Sequence, residues 1–169
     1  MATTTDLLID ALGRTRENAH DVVDELSEDQ LAYRLEGRAN PIGWLVWHLA
    51  RVVDDHLAGA AGNEQRWTAD GWAERFALPL DPADIGYGHT NEQVASVRVG
   101  AANLHGYLDA VLDRAVGYVS GLSDADLDRV VDERWDPPVT LAVRLVSVLS
   151  DDLQHAGQAA YARGLLESR

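Results

Sequence analysis

Two imidazoles and one carboxylate stand at spacings that could hold a metal ion: His48 in NPIGWLVWHLARVVDDH, and Asp151 with His155 in SDDLQHAGQAAYARG. Such a set can bind a divalent ion and leave coordination positions open for exchangeable ligands. Asp151 and His155 are four residues apart in a stretch of helical periodicity, so their side chains leave one helix face about a turn apart. His48 must come from a different helix. A structural reading competes: Asp151 pairs with Arg144, two turns back on the same face, and both histidines are hydrogen-bonded core residues. An unpaired carboxylate beside the stripe Leu141, Leu145, Val148, Ala159 and Ala162 would cost roughly several kcal/mol, so a metal, a cation or a proton must compensate it. Spacing alone leaves both readings open.

The elements that must position these residues follow from the apolar period. Leu7, Leu8, Ala11, Leu12, Ala19, Val22, Val23 and Leu26 mark a long first helix with Thr5 as its N-cap. Asn40-Pro41 starts a second helix that should run to about Ala58, before Gly59. From Gly59 to Thr90 the period is lost and Gly, Pro and Asp collect around Trp67, Trp72 and Phe76, which reads as a long crossover with a short helix near Trp72. A connection of that length is either a lid over a site or a loop stapled to the core by its aromatics. A third helix is expected over 91–120 and a fourth over 139–166. Shifting the chain by 96 residues lays Leu26-Ser27 on Leu122-Ser123 and Asn40-Pro41 on Asp136-Pro137, with capping boxes at Ser27/Gln30 and Ser123/Asp126. The expected fold is therefore an all-α, four-helix up-and-down bundle, one domain over 1–169, with the long crossover between helices two and three. Under the same shift His48 falls on Arg144 and Asp55 on Asp151, so the candidate ligands are not a symmetric pair.

Composition narrows the function. The chain has no cysteine, which removes disulfides, zinc fingers and a protein-borne thiol nucleophile together. A net charge of −14, with fourteen arginines dispersed and no lysine, repels phosphate backbones and anionic lipid. Nucleic acid and membranes are not expected partners. The N-terminus is acidic where a signal peptide would be basic, and no apolar run reaches spanning length, so a cytoplasmic location is expected. A homodimer is left open.

Other polar residues rank behind the three. His56, two turns after His48, could form a second acidic group with Asp54 and Asp55. Arg75 and His89 in the crossover could contact a substrate, His105 and Arg144 could support the ligands from behind, and His20 reads as a surface residue.

The arrangement Asn-Pro-Ile-Gly-Trp-Leu-Val-Trp-His in the second helix and His-Ala-Gly-Gln-Ala-Ala-Tyr-Ala-Arg-Gly in the fourth resembles the DinB-like metalloenzyme superfamily. Within it, the chain is most similar to the actinobacterial branch that includes the metal-binding domain of mycothiol-dependent maleylpyruvate isomerase and the mycothiol or bacillithiol S-transferases. The resemblance spans essentially the whole chain. It implies a metal held by a second-helix histidine, matching His48, and by a Glu or His followed four residues later by His, matching Asp151 and His155. Asp151 departs from that pattern by one methylene. The ligand types suit zinc first, with nickel or iron(II) as alternatives. The resemblance further implies mycothiol as co-substrate and a metal-dependent S-transferase acting on a small electrophile. The isomerase carries a further C-terminal domain that is not matched here, so its isomerisation is not the expected reaction. A metal-dependent hydrolase and a non-catalytic ligand-binding or stress-response module are the alternatives.

Overall fold

A computed structural model describes residues 1–168. Four long helices form the body: α1 (Thr4–Val23), α3 (Ile42–Ala61), α7 (Ala101–Ser120) and α8 (Leu141–Glu167). The short helices α2 (Glu28–Leu31), α4 (Arg66–Ala69), α5 (Trp72–Phe76) and α6 (Asn91–Ser96) lie in the connections, and β1 (Val130–Asp132) pairs antiparallel with β2 (Val139–Thr140). The expected all-α bundle with a crossover after its second long helix is observed. No helix among the described residues is long and apolar enough to cross a membrane.

Side-chain pairs fix the helix directions. Arg16–Asp113, His20–Asp109 and Asp24–His105 make α1 and α7 antiparallel, and His48–Asp151 with His56–Arg144 do the same for α3 and α8. Arg51 with Tyr107 and Ala60 with Tyr118 make α3 and α7 parallel. The crossover thus returns the chain to the end where α3 began, and the long helices run up, down, down, up, so the alternation of the expected up-and-down bundle is broken between α3 and α7. Helices α1, α7, α3 and α8 close a ring in that order, so α3/α8 and α1/α7 form opposite sides.

Helix ends follow local chemistry. Thr3, not the expected Thr5, caps α1 through a box with Asp6, and the boxes at Ser27/Gln30 and Ser123/Asp126 both form. Helix α3 passes through Gly59 and ends at Gly62, whose φ of +68° suits the left-handed cap. The expected third helix is broken: residues 97–100 are not helical, with Val97 and Val99 buried and Arg98 outward. The β-branched alternation Val-Arg-Val before Gly100 explains the break, because it packs two side chains inward at the strand period, not the helical one. Thr140 caps α8, which begins at Leu141, two residues after the expected 139.

The crossover is stapled to the core. Trp67 and Phe76 are buried, and with Trp72 they cluster around Tyr107 of α7, each of the three rings within 5.9 Å of the Tyr107 ring. A Cβ at Gly106 would stand 2.6 Å from the Trp72 ring, so only glycine admits that ring to α7.

Candidate metal centre

The antiparallel α3/α8 interface brings the three leading residues together: one ligand atom from each of His48, Asp151 and His155 lies within 4.8 Å of the others. His48 Nε2 is 4.0 Å from Asp151 Oδ2, His155 Nε2 is 3.5 Å from Asp151 Oδ1, and the two imidazoles meet edge to face at 4.7 Å. Ligand atoms bound at about 2.0–2.2 Å around one ion sit about 3.3–3.6 Å apart in a tetrahedron, so small side-chain adjustments suffice.

His48 is oriented from behind. Its Nδ1–H donates to the Ile85 carbonyl of the crossover, which leaves the Nε2 lone pair facing Asp151. Trp44 stacks on the ring at 4.7 Å. Gly86 packs so closely that a Cβ there would lie 2.8 Å from His48 Nδ1. Burial lowers the His48 pKa, the Ile85 bond only partly opposing it, so the imidazole is kept in the neutral form a metal requires.

Asp151 is half-buried, and its carboxyl is pulled two ways. Burial raises its pKa, but the hydrogen bond from His155 and the neighbouring imidazoles outweigh burial and lower it, which favours the anion. Among the described residues, Asp151 Oδ2 and His155 Nδ1 are buried without a hydrogen-bond partner. Asp151 Oδ2, which faces His48 Nε2 where the three side chains meet, is thus an orphaned acceptor, and that fits a bound cation better than a closed hydrogen-bonded core.

The competing Arg144 pairing is corrected. Arg144 donates to Asp132 Oδ2 at 2.9 Å and its Nη1 lies 3.5 Å from His56, so its charge is spent on the β-hairpin. His105 does not support the centre either: it meets His20 and Asp24 on the α1/α7 side. His89 is committed to contacts within the protein: its buried ring accepts from Trp44 Nε1 at 3.0 Å and bonds Asp84 Oδ2 at 2.9 Å. Arg75 lies over the Trp72 ring at 4.5 Å and serves the crossover's packing. The suggested acidic group at His56 is assembled only in part: Asp55 Oδ2 lies 3.4 Å from His56 Nδ1 while its Oδ1 accepts from Gln65, but Asp54 is buried and accepts from Arg66 N–H, Trp67 N–H and Tyr107 O–H.

Several supporting residues escape sequence reading. Arg51 is fully buried, donating to Gln65, Tyr107 and the carbonyls of Asp84 and Pro82, and so fixes the crossover segment that holds His48. Its place on the apolar face of α3 was the available signal. Asp152 is the fully buried carboxyl of α8, with neither oxygen partnered among the described residues. Burial and the adjacent Asp151 charge push it well above the usual carboxylate range.

Residues 11–159 match the model of the DinB superfamily. The chain belongs to the DinB superfamily. A DinB fold thus underlies the centre, and the chain is also similar to a conserved protein from Enterococcus faecalis known from a crystal structure, at 30% identity over 100% of both chains with a TM-score of 0.91. No curated protein matches. Membership in the DinB superfamily is consistent with a metal-dependent enzyme, and the His/Asp group is compatible with a divalent metal.

Proposed function

We propose that this DinB protein is a divalent-metal-dependent transferase that joins a low-molecular-weight thiol, in the first instance mycothiol, to an electrophilic carbon of a small molecule. The observation that carries the reading is the convergence of His48, Asp151 and His155 with two of their polar atoms orphaned. A cation held there, zinc before nickel or iron(II), would supply the Lewis acidity that deprotonates a thiol at neutral pH. The protein has no cysteine, so the thiol must come from outside the chain. In the balanced step, the thiol proton goes to solvent, the sulfur forms a bond to carbon, and the leaving group departs with its electron pair.

The chain's own residues supply orientation and a berth. His48 is held in one tautomer by Ile85, and the crossover shields it so that its side chain is only 7% exposed. A cleft of about 420 Å³ lies farther along the α3/α8 interface, between the β-hairpin and the start of α8, lined by Asp55, His56, Asp132, Glu133, Arg134 and Arg144. His56 is two turns from His48, a rise of about 12 Å. Carboxylates that accept and guanidinium groups that donate suit the hydroxyl-rich body of a sugar-linked thiol extending from the centre. A reduced thiol of this kind favours a reducing compartment such as the cytoplasm.

Protein purified without chelator should carry transition metal, with one equivalent lost in His48→Ala and in His155→Ala. Metal-loaded protein should then consume mycothiol in the presence of an alkylating electrophile, and both variants should not. Folded wild type that loses no metal equivalent on these substitutions refutes the centre. Turnover of the electrophile without loss of thiol would instead assign the same ligands to activation of water.

A further inference from the structure

A second group of ligand-type side chains lies on the opposite side of the bundle, where α1 meets α7. One ligand atom from each of His20, Asp24 and His105 lies within 4.8 Å of the others. Its layout repeats that of the first: α1 gives a pair four residues apart, and the facing antiparallel helix gives one histidine. None of the three touches the α3/α8 ligands in any contact described above.

The hydrogen-bond roles make this group distinctive. His20 Nε2 is 3.0 Å from Asp109 Oδ1, and His105 Nε2 is 3.3 Å from Asp24 Oδ1. Asp109 only accepts, so His20 Nε2 is its protonated nitrogen and His20 Nδ1 carries a lone pair, which meets His105 Nδ1 in direct contact. His105 Nε2 approaches Asp24 Oδ1 at ion-pair distance only, so both side chains can turn with His20 Nδ1 toward one cation. Asp109 behind His20 is the carboxylate–imidazole arrangement that orients metal-ligating histidines, and Arg16 steadies Asp109 from 3.6 Å.

We propose that His20, His105 and Asp24 form a second divalent transition-metal site, independent of the α3/α8 centre, that ties the end of α1 to the start of α7. Two imidazoles and a carboxylate select zinc, nickel or cobalt over magnesium or calcium, which favour all-oxygen ligands. The rings are 27% and 21% exposed and the Asp24 side chain 61%, so they can open to admit an ion and water can fill its remaining positions. Asp24 is the C-cap residue of α1, so the ion would fasten that helix where it would otherwise fray.

The test uses the full chain carrying His48→Ala and His155→Ala together, which removes the α3/α8 centre. Titration with Zn²⁺ against a chromophoric chelator should show one equivalent bound, and wild type should show one more. Adding His105→Ala or His20→Ala should abolish that equivalent. Asp24→Asn, a change at an exposed side chain, should weaken it about 10- to 100-fold while circular dichroism shows an intact bundle. Should the folded double variant bind no zinc, or bind one equivalent that survives both histidine substitutions, only a shared proton joins the two rings and the proposal is overturned. Failure of the α3/α8 centre would not imitate this result, since the double variant already lacks it.

Discussion

Gly86→Ala separates a metal ligand positioned by the crossover from one that merely lies near it. A Cβ at residue 86 would stand 2.8 Å from His48 Nδ1, 3.1 Å from Trp47 and 3.2 Å from Trp44. Ordinary contacts begin near 3.5 Å, so the segment must retreat by about half an ångström or more, and the adjacent Ile85 carbonyl must loosen its hold on Nδ1–H. The backbone adds its own cost, because φ at Gly86 is +93°. A side chain there costs about 1–3 kcal/mol, and a weakened hydrogen bond about 0.5–1.5 kcal/mol, for a total of about 1.5–4.5 kcal/mol in stability. With the imidazole no longer fixed from behind, affinity for the metal equivalent that depends on His48 should fall about 10- to 100-fold. Gly88→Ala is the matched control: its φ is +70°, and a Cβ there meets nothing within 4 Å, so it carries the strain without the collision. Urea unfolding of the apoprotein and zinc competition with a chelator measure the two quantities. Equal zinc affinity in the two variants would refute the idea that the crossover positions His48.

Three further outcomes follow from the same contacts. Asp54→Ala removes the acceptor for two crossover amides and Tyr107 and leaves the buried Arg51 uncompensated, which should cost about 3–5 kcal/mol in chemical denaturation. Gly106→Ala drives a methyl into the Trp72 ring and should cost about 1–3 kcal/mol, with a change in the near-ultraviolet circular dichroism of that indole. Because burial lowers the His48 pKa below its ordinary 6.5, the unfolded chain takes up that proton first. The contribution is complete above about 6.5 and is lost as pH falls toward the folded value, so apoprotein stability should drop on acidification, and less steeply in His48→Ala.

What the sequence made legible divides along physical lines. The four long helices carry their apolar period over 20 residues or more, and their capping boxes are local, so both were readable. So was the i,i+4 relation of Asp151 and His155. The antiparallel alignment that brings His48 to them is a tertiary fact set by the crossover's return, and no local pattern encodes it. The partner of Arg144 was misread for the same reason: Asp132 reaches it from a hairpin with strands of three and two residues, too short for any period to register. The helical phase of α8 was off by one position. Its buried line is Leu141, Leu145, Val148, Asp152, Ala156 and Ala159, which puts Asp152 in the core and turns Asp151 and His155 to the flank facing α3. A polar residue on the buried line breaks the pattern that would have revealed the line.

The duplicated layout then explains why the two His/Asp groups differ in character. The 96-residue shift equates α1 with α7 and α3 with α8, and each helix packs antiparallel against its own equivalent on opposite sides of the ring. Each of these interfaces carries a pair from one helix and a single histidine from the other. The ligand positions do not correspond under the shift, so the groups are separate additions to a common scaffold. What distinguishes them is the crossover. It covers the α3/α8 side through Ile85, Gly86 and His89, bolted down by Arg51 and Trp44, and it leaves His48 7% exposed. The rings on the α1/α7 side remain 27% and 21% exposed. A site walled by the crossover on one side, with the half-buried Asp151 at its edge, can exclude most bulk water, which chemistry requires. A site at the exposed end of two helices can exchange ions and fasten those helices, and little more.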